Sequence, residues 1–379
     1  MTNSSGIYIH VPFCRQGCLY CHFVTVAYQE HGVGSYVQAL LKEMQQFSET
    51  CKETPVLDSI YLGGGTPSLI PAESIEAILD ACRRMFSVSG DCEISMECNP
   101  ETLVPENLAI YRRAGINRIS VGAQSLQEKE LIAVGRKHSA ASVIDAVELL
   151  KRTGIEHINM DILIGLPFQT LNSLENTLKR VAELDVEHVS VYMLDLDEPC
   201  QLSEMIEAGR VQSVGDDTMA EMYLETREIL SRSGYRQYEI SNYARINHDC
   251  RHNIKYWRLD PVIGFGLGSH SFDGFARWAN LKDMKSYLEA VSQGKPPVEW
   301  RRVLTRSEIL EETLFLGLRM NEGVDWKVLQ KDYPVEVLEE YEKRLRPFCR
   351  KGLVKCNGSQ VSLTVEGMLL SNEIFQELV

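Results

Sequence analysis

Cys14, Cys18 and Cys21 stand in a C-x3-C-x2-C spacing, directly after a short apolar run over residues 7–11. Three thiolates on one tight loop can hold three irons of a cubane cluster. Iron–sulfur sites are usually closed by four cysteines, so the fourth iron would lack a nearby thiolate and could take a small molecule. The same trio also suits zinc, with His10 or His22 completing the set, or a group of unrelated free thiols. Spacing alone leaves these readings open. Cys51, Cys82, Cys92, Cys98, Cys200, Cys349 and Cys356 are scattered, and small buried apolar side chains are the expectation for each. Cys250 has two readings, thiolate ligand or buried thiol, and the buried thiol is expected.

Further polar groups recur at the ends of apolar runs. Gly63-Gly64-Gly65-Thr66-Pro67 closes the second run. Its lack of side chains lets backbone approach a ligand, and its free N–H groups would suit a carboxylate or the neighbours of an amine. Glu97, Gln124, Asp161 and Asp195 lie at or just beyond other run ends, and Arg136 follows in the same half of the chain. Taken singly, each is more often a salt bridge or a cap; together at run ends they form a candidate site. His252-Asn253-Ile254-Lys255-Tyr256-Trp257 is a separate focus. A histidine beside aromatics is more often a packed core residue than a ligand, and His270 has the same ambiguity. Gly264-x-Gly-x-Gly lacks the strand–helix setting of a dinucleotide fingerprint.

The elements that must position these groups alternate. Strands are expected over 7–11, 59–62, 93–97, 118–121, 158–164 and 186–193. Helices are expected over 35–47, 71–85, 107–114, 139–152 and 173–184, from apolar residues at helical spacing and Gly or Pro at the ends. Six β-α units with nearly continuous apolar strands imply an α/β fold, a parallel sheet covered by helices. A curved, partial (β/α)6 TIM-like barrel fits best. In such folds ligands gather at the C-terminal ends of the strands, where the cysteine loop, the glycine run, Glu97, Gln124, Asp161 and Asp195 all fall. Residues 1–198 form this unit. Residues 199–297 form an α+β segment that completes the barrel and carries the 252–257 motif. Residues 298–379 read as helices plus a small hairpin at Asn357-Gly358, a winged-helix-like domain opened by a Thr305-x-x-Glu308 capping signature.

Composition narrows the function classes. The chain has 379 residues, a formal net charge of −14, 44% hydrophobic and 24% charged residues. That charge argues against a general nucleic-acid or anionic-membrane surface. From residue 301 onward 12 Lys and Arg face 13 Asp and Glu, so a packing or docking role is expected for the last domain rather than DNA binding. No apolar run approaches the roughly 18 residues of a membrane span. The short polar start suggests no leader, and an odd set of 11 cysteines suggests a reducing, cytoplasmic compartment.

The cysteine loop, preceded by Tyr8-Ile9-His10-Val11-Pro12-Phe13 and followed two strands later by Glu97, resembles the radical S-adenosylmethionine (SAM) superfamily, and within it the oxygen-independent coproporphyrinogen III oxidase-like branch. The resemblance implies a [4Fe–4S] cluster on Cys14, Cys18 and Cys21. It implies SAM contacts from Tyr8, Tyr20, Gly64, Gly65, Thr66, Glu97, Gln124, Arg136, Asp161 and Asp195, the last mostly through backbone. The acids suit the ammonium and ribose hydroxyls of SAM, and Arg136 its carboxylate. Oxidases of the branch usually carry a further cysteine where this chain has Phe23. Lacking it, and carrying the His252-Asn253-x-x-Tyr256-Trp257 motif after Tyr238-Glu239-Ile240-Ser241-Asn242-Tyr243-Ala244, the chain resembles the HemW group of heme chaperones. His22 departs from that group, which often has Asp there. The resemblance implies heme as a further cofactor, with His252 as an axial ligand and Tyr256 and Trp257 stacked on the porphyrin. It implies transfer of heme to an acceptor apoprotein, with no nucleic-acid partner, and leaves open a homodimer and peripheral membrane contact through the acceptor. The alternative is a radical SAM enzyme acting on a tetrapyrrole, a coproporphyrinogen III dehydrogenase or a tetrapyrrole methylase.

Overall fold

A computed structural model describes residues 4–51 and 56–379. Residues 1–3, where the absence of a leader was expected, lie outside the described residues, as do 52–55. Among the described residues no helix is long and apolar enough to cross a membrane.

The six expected strands form and run parallel in chain order: β1 Ser4–Val11, β2 Val56–Gly64, β3 Ser87–Cys98, β4 Arg118–Gln124, β5 His157–Ile164 and β6 His188–Met193. Five helices connect them: α1 Glu30–Thr50, α2 Ala72–Met85, α3 Pro105–Arg113, α4 Ala140–Thr153 and α5 Leu171–Glu183. The local chemistry is ordinary. Ser139 and Thr170 cap α4 and α5 through reciprocal bonds with Ser142 and Ser173, and Gly154 ends α4 in the left-handed region at φ 74°.

The strands differ from expectation in one informative way. They are not continuously apolar but alternate. Ile7, Ile9, Ile60, Leu62, Ile94, Met96, Ile119, Val121, Met160 and Ile162 are buried on one face. The other face carries Tyr8, His10, Tyr61, Glu97, Ser120, Asn159, Asp161, Ser190 and Tyr192. Strand side chains alternate with period two, so the apolar set meets the helices and the polar set lines a lumen. Apolar runs read as buried on both faces conceal this inner polar row, because a Tyr or Ser between two Ile residues passes as strand-compatible.

The sheet continues past six strands. β7, Val262–Phe265, pairs parallel with β1, so residues after 198 join the same sheet. Antiparallel strands His270–Phe272, Ala276–Asn280 and Val298–Val303 extend it on that side, and Asn242–Ala244 and Arg236–Gln237 extend it beyond β6. The run of twelve strands is open at both ends. A buried carboxyl, Glu43 of α1, secures the β7 edge: it accepts from Gly266 N, Asn280 Nδ2 and Tyr287 Oη at 2.9, 2.6 and 2.6 Å. Burial pushes it up to about 7.

The C-terminal part has its own sheet of Val324–Asp325, Gln360–Leu363 and Val354–Asn357, packed with the helices Arg306–Gly317 and Val335–Arg350. The Thr305/Glu308 capping box forms as the sequence predicts. The single closing helix expected over 366–378 is instead two, Val365–Leu369 and Ser371–Gln376.

Candidate functional site

The cysteine loop sits at the C-terminal end of β1. Cys14 ends the strand pair Phe13–Cys14 with Val26–Ala27, and Tyr28 N donates to Cys14 O at 2.8 Å. Leu19 and Tyr20 pack on Val134, Leu163, Leu166, Leu194 and Leu202, a small apolar cluster apart from the main core. Backbone bonds from Leu19 N to Val134 O (3.3 Å) and Leu202 N to Leu19 O (2.8 Å) pin the loop. His22 lies 3.8 Å from Glu198, beside the rim that holds Asp195. Cys14, Cys18 and Cys21 are free, half-buried thiols.

The glycine run ends β2 and is joined to that loop. Gly65 N donates to Val11 O (2.9 Å), Thr66 N to Phe13 O (2.8 Å) and Gly64 N to Glu97 Oε2 (3.0 Å). The expectation of free N–H groups is therefore corrected: these three donors already have partners, because the run holds two strand ends together. What it offers a ligand is close approach. A Cβ on Gly65 would lie 2.7 Å from Pro12 C, and one on Gly64, whose φ is 109°, would collide with the His10 ring. Gly64→Ala is accordingly expected to lower stability by more than ~1 kcal/mol, measured as a shift of the denaturant midpoint; an unchanged midpoint would contradict the packing.

Glu97 is the hub of the lumen's upper wall. Besides Gly64 N it accepts from Tyr61 Oη at 2.9 Å. Burial, then the Asp161 carboxylate, pushes it up to about 7. Asp161 accepts from Ser120 Oγ (2.6 Å) and Asn159 Nδ2 (2.8 Å), and burial raises it too. A carboxyl raised on folding gives stability that is present below the ordinary carboxylate range and is lost as pH climbs through its folded value. Tm should therefore fall between about pH 5 and pH 7, less steeply in Glu97→Gln; equal slopes in the two proteins would refute the assignment.

Arg136 is buried and engaged. Its Nη1 donates to Cys18 Sγ at 3.3 Å and its Nη2 to Asn99 Oδ1 at 2.8 Å and Gly122 O at 2.5 Å. It braces the cysteine loop rather than presenting an open fork to a carboxylate, and its buried Nε alone has no partner. Tyr20 is buried beside Cys18, Cys21 and Arg136, and burial raises its hydroxyl. Gln124 stands at φ 65° where the β4–β5 register shifts, a bulge that re-aims its side chain. Asp195 is exposed at the rim and accepts from Asp197 N at 2.9 Å. Tyr8 lies in the lumen, its hydroxyl 3.1 Å from His10 Nδ1 and its ring stacked at 6.2 Å on Tyr61. The structure thus gathers the cysteine loop, Gly64, Gly65, Thr66, Glu97 and Arg136 at one end of the strands. His10, Tyr61 and Asn99 were missed as members; alternate positions on β1 and β2 were the signal for the first two.

These residues fit the implied group. Three free thiols lie on one loop, against a glycine run too tight for side chains and a carboxyl facing it. Among the described residues no three His, Cys, Asp or Glu gather around one point for a single ion.

The 252–257 motif is at the opposite end. Helix α6, Arg251–Trp257, crosses the N-terminal ends of the strands. Its anchors are Lys255 Nζ to Asp58 Oδ1 (2.7 Å) and His252 N to Glu93 Oε1 (3.2 Å). Glu93 in turn pairs with buried Arg118 at 3.0 Å. The His252 ring is 1% exposed, stacked at 5.1 Å on Tyr61. Its Nδ1 is 3.0 Å from Ser59 Oγ and its Nε2 3.2 Å from Tyr256 Oη. Burial, then Lys255, lowers it to about 3, so the ring is neutral. Tyr256 faces His252, whereas Trp257 lies under the Arg319 guanidinium at 4.7 Å, toward the C-terminal domain. The structure does not bring Tyr256 and Trp257 onto one face. Asn253 reaches the lumen, where with Tyr61, Asp161, His188 and Tyr192 it lines a polar cavity of about 20 Å³, room for a water.

The chain matches the radical SAM superfamily over residues 8–181 and the HemN C-terminal domain over residues 304–370. It is 35% identical over 371 residues to the heme chaperone HemW of Bacillus subtilis strain 168, covering 97% of each chain. It is 30% identical over 375 residues to HemW of Lactococcus lactis, covering 99% of this chain and 97% of that one. Among solved structures it resembles coproporphyrinogen III oxidase (HemN) from Escherichia coli, a radical SAM enzyme, with a TM-score of 0.86 and 24% identity over 99% of this chain and 89% of that one. That likeness speaks for the fold.

Proposed function

The chain belongs to the HemW heme chaperone family of the radical SAM superfamily, and from that premise we propose that it binds heme and passes it to an acceptor apoprotein. Cys14, Cys18 and Cys21 would hold one [4Fe–4S] cluster, with SAM beside it. When bound, the cluster supplies an iron open to the amino-acid end of SAM. Around that end the chain's own residues orient and exclude: Gly64 and Gly65 allow close approach, Glu97 and Asp161 face a cation, Tyr8 and Gln124 line the wall, and Arg136 fixes the cysteine loop. The observation that carries the reading is the joined pair of cysteine and glycine loops at one end of the strands, with the His252–Trp257 helix sealing the other.

The finer architecture belongs to the same reading. The open sheet is a partial barrel of residues 1–198, completed by 199–297, and 298–379 is a winged-helix-like module that docks through Arg319 and Trp257. The work is cytoplasmic, with membrane contact only through the acceptor.

Heme ligation by His252 requires one local change. Ser59 holds Nδ1 and so orients the ring, leaving Nε2 as the ligand atom once Tyr256 turns aside. His252→Ala should weaken heme binding at least about tenfold, and Tyr256→Phe, which removes the capping hydroxyl and keeps the ring, should tighten it. Heme titration followed by the Soret band decides; unchanged affinity in His252→Ala would transfer the ligand role elsewhere. A tetrapyrrole-converting enzyme is the second reading, favoured by the polar lumen that reaches from Glu97 to Asn253.

A further inference from the structure

The twelve-stranded sheet ends in Val298–Val303, which is paired on one side only, to Ala276–Asn280. Glu299, Trp300, Arg301, Arg302 and Val303 are all exposed, Trp300 at 41% and Val303 at 64%. Such an edge presents a row of unpaired N–H and C=O groups, which proteins usually blunt with proline or like charges. Here the strand carries opposite charges. Glu299 and Arg301 share one face, Trp300 the other, because strand side chains alternate.

That order is self-complementary. A two-fold axis normal to the sheet sets the strand antiparallel to its own copy. Opposed residues must share a face, so the axis passes through a residue rather than between two. Centred on 299 it sets Glu299 against Glu299; centred on 301 it sets Arg301 against Arg301. Centred on Trp300 it sets Trp300 against Trp300 and Glu299 of each copy against Arg301 of the other. Of these three central registers only the last matches charge to charge. Competing contacts are slight: Arg301 lies 3.6 Å from the Asp273 carboxylate and 5.9 Å from the Trp278 ring. Arg302 is taken by Glu308 at 2.9 Å and stays out of the pairing.

We propose that the strand Val298–Val303 pairs antiparallel with the same strand of a second copy, centred on Trp300, and joins two sheets into one. This interface lies apart from the cysteine loop and α6, so it stands or falls independently of the heme reading.

Sedimentation of the cluster-loaded full chain over a dilution series tests it. The chain should be a dimer. Glu299→Arg and Arg301→Glu should each raise the dissociation constant about tenfold, since each sets like charges opposite one another twice. The double variant, with the charges exchanged, should regain the affinity of the parent. Circular dichroism controls for folding. A monomer at every concentration would overturn the proposal, as would a dimer indifferent to both single changes or a double variant no tighter than the singles.

Discussion

Serine in place of Cys14, Cys18 or Cys21 will abolish the iron–sulfur cluster, each variant retaining well under half of the ~4 irons expected per chain. Each thiolate would serve a different iron, so no remaining residue can substitute for the one lost. The loop itself should survive. It is held by Leu19 and Tyr20 in their apolar cluster, by Arg136 on Cys18 and by the backbone bonds of Leu19 and Tyr28, of which each single serine removes at most one. Loss of iron with an unchanged far-ultraviolet spectrum is therefore the expected pair of results. Cys82→Ser is the control, since that thiol is buried in α2 against the sheet. Full iron content in Cys14→Ser, or equal loss in Cys82→Ser, would contradict the assignment.

The second large effect concerns the other end of the strands. Glu93 and Arg118 are 6% and 3% exposed and 3.0 Å apart. Glu93 also accepts from the His252 backbone N–H and from Cys250 Sγ, and Arg118 donates to the His248 and Asp249 carbonyls. Removing one partner leaves a buried charge uncompensated, at about 3–5 kcal/mol. Glu93→Ala and Arg118→Met should each destabilise by that order. The pair of changes together should cost less than the sum, because no lone charge remains. Since Glu93 holds the first turn of α6, Glu93→Ala should also weaken heme binding in step with stability. Denaturant midpoints for the two single variants and the double variant check this; strict additivity would mean that the ion pair does not act as a unit.

Much of the cluster end was legible in the sequence. The cysteine spacing, Gly64, Gly65, Thr66 and Glu97 are close in sequence to strand ends, and strand order follows chain order in a parallel sheet, so their meeting follows from topology. The long-range partners were not legible. Arg136 reaches Cys18 across 118 positions, a contact fixed by three-dimensional packing and not by any local pattern. The N–H groups of the glycine run looked free because the strand-end bonds that occupy them come from β1 and β3. The role of 252–257 as a seal on the strand starts was hidden as well: a helix of 7 residues carries too little periodicity to show which face it buries. Glu43 and the Glu93–Arg118 pair read as solvated charges, since nothing local announces a buried partner more than two dozen positions away.

The central claim is that the chain carries heme and does not convert porphyrinogens. Anaerobic incubation of the cluster-loaded chain with SAM, equimolar heme and coproporphyrinogen III, followed by separation and analysis of bound and free tetrapyrroles, tests it in one measurement. The account predicts heme travelling with the protein and coproporphyrinogen III recovered unchanged. SAM-dependent formation of protoporphyrinogen, with heme left free, would contradict it.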